Sequence, residues 1–522
     1  MNIEKIKEKI FPANEDQTSI LTKLGEGFSV NAYANSVNTY KNLLFFIGKR
    51  TSEKYLYILY SDDDSSGINN FKGEILNVNM TDGNFHIKQC ALIHENVIAL
   101  QNLFDFTKPV VVGLRNSFGF GDRLGLANPG HVRSLIGYSF KPIFAQQSIR
   151  ELTRTHRTAD EVMDAAVWAV FQEGYKDGFG ADADHLKTTQ DIDMLMKANY
   201  KMFTLDPSDH IFQNVDSLTK SEINDKFKNL PWKELYDTAE DLMSRYDKKE
   251  IKVGKNLVIV PTSHAILKAS LKYLKAFAYI KKLSDYFKTK YSRYDYEIEV
   301  SIDETDTVTT PFEHYFIVNE LKRLKVDFIS LAPRFVGDFE KGIDYKGDIE
   351  LFKSDYIKHI QILEHFGFYK MSFHSGSDKF AVYNAVAQIN RGVIHIKTAG
   401  TSYLEALKVV AEKDPQLFRE VLDFSKSLFD TEKATYHVSA KVENVKDGNL
   451  YGDDKLLGLM SIDDPRQILH VAFGRVLTEK NNDGTYLFRD RLLECLKQNE
   501  ELYYDFLIKH FHKHLDPFNG KD

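Results

Sequence analysis

In the stretch FGADADHLKT, Phe179 to Thr188, an aspartate and a histidine stand side by side, Asp184 and His185, where an apolar run gives way to polar residues. A neutral imidazole at a strand end can coordinate a divalent ion, and a carboxylate beside it can turn toward a substrate as a proton acceptor. The same pair would equally serve as a capping aspartate and an ordinary loop histidine, so the dipeptide alone leaves both readings open.

The acids of YEIEVSIDETD are more telling. Ile298, Val300 and Ile302 alternate with Glu297, Glu299, Ser301 and Asp303, the period of a strand with one apolar and one polar face. With the apolar set packed on helices, the acids face an interior where carboxylates require a cation or metal partner. Glu299 is the preferred second acid/base group, with Asp303 and Glu304 close behind. The run FYKMSFH ends at His374, a second imidazole for a metal, and continues through Ser375 and Gly376, where backbone donors could approach a substrate oxygen. In SLAPRFVGDFEKGIDY, Glu340 is the candidate for completing a His/Glu/His metal set, and His395, inside its own run, is a reserve ligand.

These residues need elements that bring them together. Eight short apolar runs end in polar residues: PVVVGLR (109–115), KPIFAQQ (141–147), GFGADAD (178–184), YKMFTLD (200–206), EIEVSID (297–303), VDFISLA (326–332), FYKMSFH (368–374) and GVIHIKT (392–398). Helical stretches lie between several of them, with Thr158 and Thr310 as N-caps, Pro311 in a first turn and Gly367 as a C-cap. Eight such units predict an α/β fold, a (β/α)8 TIM barrel, over a doubly wound sheet. The glycine-rich FGFGDRLG at 118–125 lacks GxGxxG spacing. In such a barrel the chemistry sits at the C-terminal strand ends.

The expected layout is a β-rich antiparallel N-terminal region (1–108), the catalytic barrel (109–400), and a last barrel helix with a helical C-terminal extension (401–522). Between the fourth and fifth runs, a helical insertion from about 210 to 292 is expected to overhang the strand ends as a lid. In the N-terminal region NLLFFIGKR, KYLYILYSD, GEILNVNM, NFHIKQCALI and NVIAL read as strands, separated by the turns SDDDSSG and TDGN.

Composition narrows the partners. A net charge of -7 and a pI near 6.2 offer no long-range attraction for a nucleic-acid backbone. Two cysteines, Cys90 and Cys495, exclude both a disulfide framework and a cysteine-rich metal site and fit a reducing compartment. No run of 18 apolar residues and no apolar leader core occur, so a cytoplasmic protein with a small-molecule substrate and no membrane partner is expected. Association into a homo-oligomer stays open.

Taken together, VSIDETDTVTTPFEHYFI, SLAPRFVGDFEKGIDY, HSGSDKF, HIKTAGTSYLEAL and GADADHLK resemble the tagaturonate/fructuronate epimerase family of hexuronate catabolism, from about Val111 to about Leu407. The family is related to the class II tagatose-bisphosphate aldolases, whose Asp-His pattern Asp184 and His185 also resemble. The resemblance implies a metal-dependent barrel isomerase that interconverts D-tagaturonate and D-fructuronate by C4 epimerisation. It implies Asp184 as proton acceptor and Glu299 as proton donor, with His185, His374 and Glu340 holding a divalent cation, for which Zn, Mn, Co and Ni are all suitable. The substrate carboxylate then needs a cationic or hydroxyl-rich pocket, for which Arg115, Gln147 and Lys397 are the strand-end candidates.

Two other functions fit the residues. A class II aldolase acting on a ketose or ketose phosphate would use the same metal and base, with HSGSDK or KTAGTS as a phosphate loop. A noncatalytic sugar-binding protein would hold its ligand with the same acids and lose little when Asp184 is replaced.

Overall fold

The structure is a computed structural model that describes residues 3–11, 19–25, 28–61, 67–76, 85–254 and 256–520. Most of the turns SDDDSSG and TDGN, and the end of GEILNVNM, lie outside the described residues. Among the described residues no helix is long and apolar enough to cross a membrane.

The N-terminal region forms a seven-stranded antiparallel sheet centred on the hairpin Leu43–Arg50 and Glu53–Ser61. Leu44, Phe46, Tyr57 and Leu59 bury one face in a small core, while Phe45, Ile47, Leu56 and Ile58 on the other join the main core of the molecule. Burial on both faces explains why NLLFF is apolar without alternation. NVIAL is not a strand: it lies in the helix His94–Gln101, where Val97 and Leu100, three apart, turn inward.

The barrel is closed, with every strand pair parallel. Its strands are β1 (Ser117–Gly121), β2 (Lys141–Ser148), β3 (Gly180–Leu186), β4 (Met202–Leu205), β5 (Glu297–Ser301), β6 (Ser330–Ala332), β7 (Lys370–Phe373) and β8 (Ile394–Thr398), and β8 pairs with β1. Sequence-encoded caps start the intervening helices. Thr158 with Glu161 and Thr310 with Glu313 form capping boxes, Pro311 opens its helix, and Gly367 ends another at φ 72°.

The first strand is not PVVVGLR but SFGFG. Gly119 and Gly121 are needed there because a side chain at either would collide with the Gln146 amide or with the Ala399 backbone. PVVVGLR instead crosses the opposite mouth of the barrel, where Val112 packs against Ile143 and Met202 and closes the bottom. Its apolar character comes from plugging, not from pairing.

A second departure concerns the long insertion. The helix α1 (Ser263–Lys290) leads directly into β5, and its Phe287 ring packs 5.0 Å from Phe203 on the outer face of β4. It is therefore the barrel helix of the fourth unit. Only the preceding residues, two short helices and a small hairpin, are an insertion.

The C-terminal extension does not stand apart. Helix α2 (Glu500–Leu515) packs on the helix Asn128–Ser134 and places Phe511 4.9 Å from Phe120 of β1.

Candidate active site

Alternation along β3, β5 and β8 sends Asp182, Asp184, Glu299 and Lys397 into the lumen, while Ala181, Ala183, Ile298, Val300 and Ile396 face the helices. The Lys397 ammonium sits at the centre of this floor. It lies 2.8 Å from Asp182, 2.8 Å from Asp184, 2.7 Å from Glu299 and 2.6 Å from the Thr204 hydroxyl. Ser330 donates to the second Glu299 oxygen at 2.6 Å.

Above the floor, His374 stands between Glu299, 2.6 Å from its Nε2, and Asp303, 3.1 Å from its Nδ1. His185 faces it with ring centroids 5.1 Å apart, and its Nδ1 is 3.3 Å from Asp206. His185 has a left-handed backbone, φ 55°, which an ordinary side chain adopts only when the surroundings enforce it. Asp184, His185 and His374 offer ligand atoms that all lie within 4.8 Å of one another.

The electrostatics follow from this packing. Burial alone would raise the Asp184 pKa, but His185 and Lys397 outweigh it and hold the carboxyl below the usual carboxylate range. In Asp182, burial wins over Lys397 and pushes the pKa up to about 6. For His374 burial opposes charge, yet Asp303 and Glu299 prevail and push it up to about 10. His395 lies lower in the lumen, fully buried, with Nδ1 2.9 Å from the Ser117 hydroxyl; burial takes its pKa well down, and it does not join the imidazole pair.

Three of the expected site residues lie elsewhere. Arg115 precedes β1 instead of ending it, so it is exposed at the opposite mouth, its Nε bonded to the Val112 carbonyl. Gln147 pairs with Ala183 on the face turned to the helices, because the register of β2 shifts at its neighbours; Gln146 faces the lumen instead. Glu340 turns away from the histidines and accepts from the Ser439 amide at 3.0 Å, the Ser439 hydroxyl at 2.7 Å and Gln467 at 2.8 Å. Lys397 is in the site, but three carboxylates already surround it.

The walls bring in residues with no place in the sequence reading. Arg123 follows β1 and pairs with Glu151 at 2.8 Å; Arg150 follows β2, and Lys341 sits beside Glu340. The roof comes from the C-terminal extension and not from the expected lid: Tyr436, His437 and His470 line the cavity, and none of the described residues of 210–292 does. His470 is 2 % exposed, and among the described residues both its ring nitrogens lack a hydrogen-bond partner, as do both amide atoms of Gln146. Unpaired buried polar groups around one cavity suit a ligand rich in hydroxyls. Shifting the first strand to 117–121 would have exposed Arg123; nothing local marks Tyr436 or His470.

Residues 33–518 match the family model described as tagaturonate epimerase. The chain is 40% identical over 497 residues, 95% of its length and 98% of the relative's, to the tagaturonate/fructuronate epimerase of Thermotoga maritima. Crystal structures of fructuronate-tagaturonate epimerase UxaE from Cohnella laeviribosi are 37% identical and cover 94% of this chain and 96% of theirs. The TM-score is 0.87 for a glycerol complex and 0.86 for the native form.

Proposed function

Since the chain belongs to the tagaturonate epimerase family, we propose that it interconverts D-tagaturonate and D-fructuronate with Asp184 as the proton acceptor, beside a divalent cation held by His185 and His374. The observation that carries this reading is the juxtaposition of an ionised Asp184 with two facing imidazoles at the C-terminal strand ends of a closed barrel.

The donor set suits a cation. Asp182, Asp184, Glu299 and Asp303 bring four carboxylates against Lys397 and a protonated His374, and a divalent ion that took the place of the His374 proton would balance most of the remainder. Asp303 or Asp206, each within reach of one of the histidines, is better placed than Glu340 to complete the set. When bound, the cation supplies Lewis-acid polarisation of a substrate oxygen.

The inverted carbon is β to the ketone, so its C–H is not acidified by the carbonyl and direct proton removal there faces a high barrier. Retro-aldol chemistry avoids it. Asp184 takes the proton of the C4 hydroxyl (ketose numbering), the C3–C4 bond breaks, and its electron pair moves into an enediolate of the ketone-bearing fragment. The aldehyde fragment turns over, the C3–C4 bond re-forms on the other face, and Asp184 returns the proton to the new alkoxide. Glu299, bonded to His374 and Ser330, is the second carboxylate of the pair, joined to Asp184 through the Lys397 ammonium that touches both. The Tyr436, His437 and His470 roof retains the fragments between cleavage and re-addition.

The test is to strip the protein of metal, incubate it with D-tagaturonate with and without added Mn, Zn, Co or Ni, and follow the C4 epimer by NMR. Cation-dependent appearance of D-fructuronate is expected. Absence of epimer under every cation would overturn the reading, and accumulation of free cleavage fragments would favour an aldolase.

A further inference from the structure

We propose that Arg150 and Lys341 form the subsite that takes the carboxylate of the uronate substrate, with Tyr436 of the C-terminal extension holding Arg150 in place. This rests on the function proposed above and adds the residues that distinguish a sugar acid from a neutral sugar.

Both side chains line both of the adjoining cavities over the imidazole pair, the inner one with Asp184 and Lys397 and the outer one with Asp303. Among the described residues, neither has a carboxylate within ion-pair distance. The other cations of the site are already matched. Arg123 is with Glu151, Lys187 with Asp209, and Lys397 with three acids, while Arg334 borders only the outer cavity and donates to the Thr305 carbonyl. Glu304 and Glu151 act on both charges only from beyond ion-pair distance, and two half-buried cations beside each other without a contacting counter-ion are costly.

Their positions are fixed independently of any anion. The Lys341 ammonium donates to the Ser375 hydroxyl at 2.6 Å, one residue beyond His374, so the charge is tied to the strand end that carries the imidazole. The Arg150 guanidinium lies 5.2 Å from the centre of the Tyr436 ring, and its buried Nε has no hydrogen-bond partner among the described residues. Burial, with the Arg150 charge next to it, holds the Lys341 pKa below the ordinary lysine value. A bound carboxylate relieves that repulsion, whereas the –CH2OH of a neutral ketohexose does not. A guanidinium fork and an ammonium point charge together suit a planar carboxylate.

The experiment compares cation-loaded wild type, Arg150→Gln and Lys341→Met on D-tagaturonate and on the neutral ketohexose that carries –CH2OH in place of the carboxylate. Where the neutral sugar is not turned over, its inhibition constant against tagaturonate is read instead. Each variant is expected to lose about 100-fold in kcat/KM on the uronate, mostly through KM, and under threefold on the neutral sugar. Arg150→Lys, which keeps the charge, is expected to stay within about tenfold of wild type and guards against a purely structural loss. Equal losses on both sugars, or an unchanged uronate KM, would overturn the subsite. Failure of the wild type to epimerise tagaturonate would instead overturn the proposed function.

Discussion

The Lys397 ammonium on β8 lies 2.8 Å from the Asp184 carboxylate on β3, inside the barrel lumen and three strands around the barrel. The same ammonium touches Asp182 and Glu299, so one cation offsets the desolvation of three buried acids. Lys397→Met is therefore expected to cost about 3–5 kcal/mol, seen as a lower thermal midpoint. The residual activity should show its acid limb displaced upward in pH, because Asp184 loses a charge that favours its ionised form. Adding Asp182→Asn, which removes one of the stranded acids, should recover part of the midpoint. An unchanged midpoint in the single variant would show that the floor does not depend on this charge.

Asp184→Asn keeps size and shape and removes the proton acceptor. The expected result is a fall of about 10³ in kcat with KM within a few-fold and an intact melting transition. A kcat within tenfold of wild type would remove Asp184 from the chemistry. Arg115→Ala, at the opposite mouth of the barrel, should leave every kinetic constant unchanged.

What the sequence discloses here tracks how local the determining physics is. The alternation in YEIEVSIDETD follows from the two-residue period of a strand, and it put Glu299 and Asp303 on the lumen side, where they lie. The capping boxes at Thr158 and Thr310 are three-residue patterns and read equally well. Misreadings came where an apolar run had a purpose other than pairing. PVVVGLR plugs the barrel mouth, and taking it as the first strand carried Arg115 into the site and hid Arg123. At Gln146 and Gln147 a register shift exchanged faces, an event with no signature in a single sequence. Tyr436 and His470 return to the site through tertiary packing from more than about 250 residues downstream of His185, so no spacing announces them.

Epimerisation through C3–C4 cleavage never breaks the C4–H bond. Turnover in deuterium oxide should therefore yield D-fructuronate without deuterium at C4, measured by proton NMR of the product after many turnovers. Incorporation at C4 in step with turnover would require proton abstraction from carbon and would overturn the retro-aldol route, leaving the assignment of the reaction untouched.

The loop after β7, which follows His374, is tied to the last helix by charge. His510 on α2 stands 2.9 Å from Asp378 of that loop and 3.1 Å from Glu405, with Arg466 on the far side of Asp378 at 2.9 Å and His514 accepting from the Asp378 amide at 3.0 Å. Burial disfavours an imidazolium here, but Glu405 and Asp378 outweigh it and raise the His510 pKa above the ordinary value. A raised folded-state pKa means that the folded protein binds the proton more tightly than the unfolded chain does. The stabilisation is complete below the unfolded value of about 6.5 and drains away as the pH climbs through the folded one. The melting difference between wild type and His510→Gln should accordingly be largest near pH 6 and shrink toward pH 9. Taking the difference cancels the other titrating groups that the two proteins share. A difference that stays constant over this range would mean that His510 acts by packing against Phe380 and Phe511 alone. A difference that grows with pH would mean that it is held neutral between its two acids.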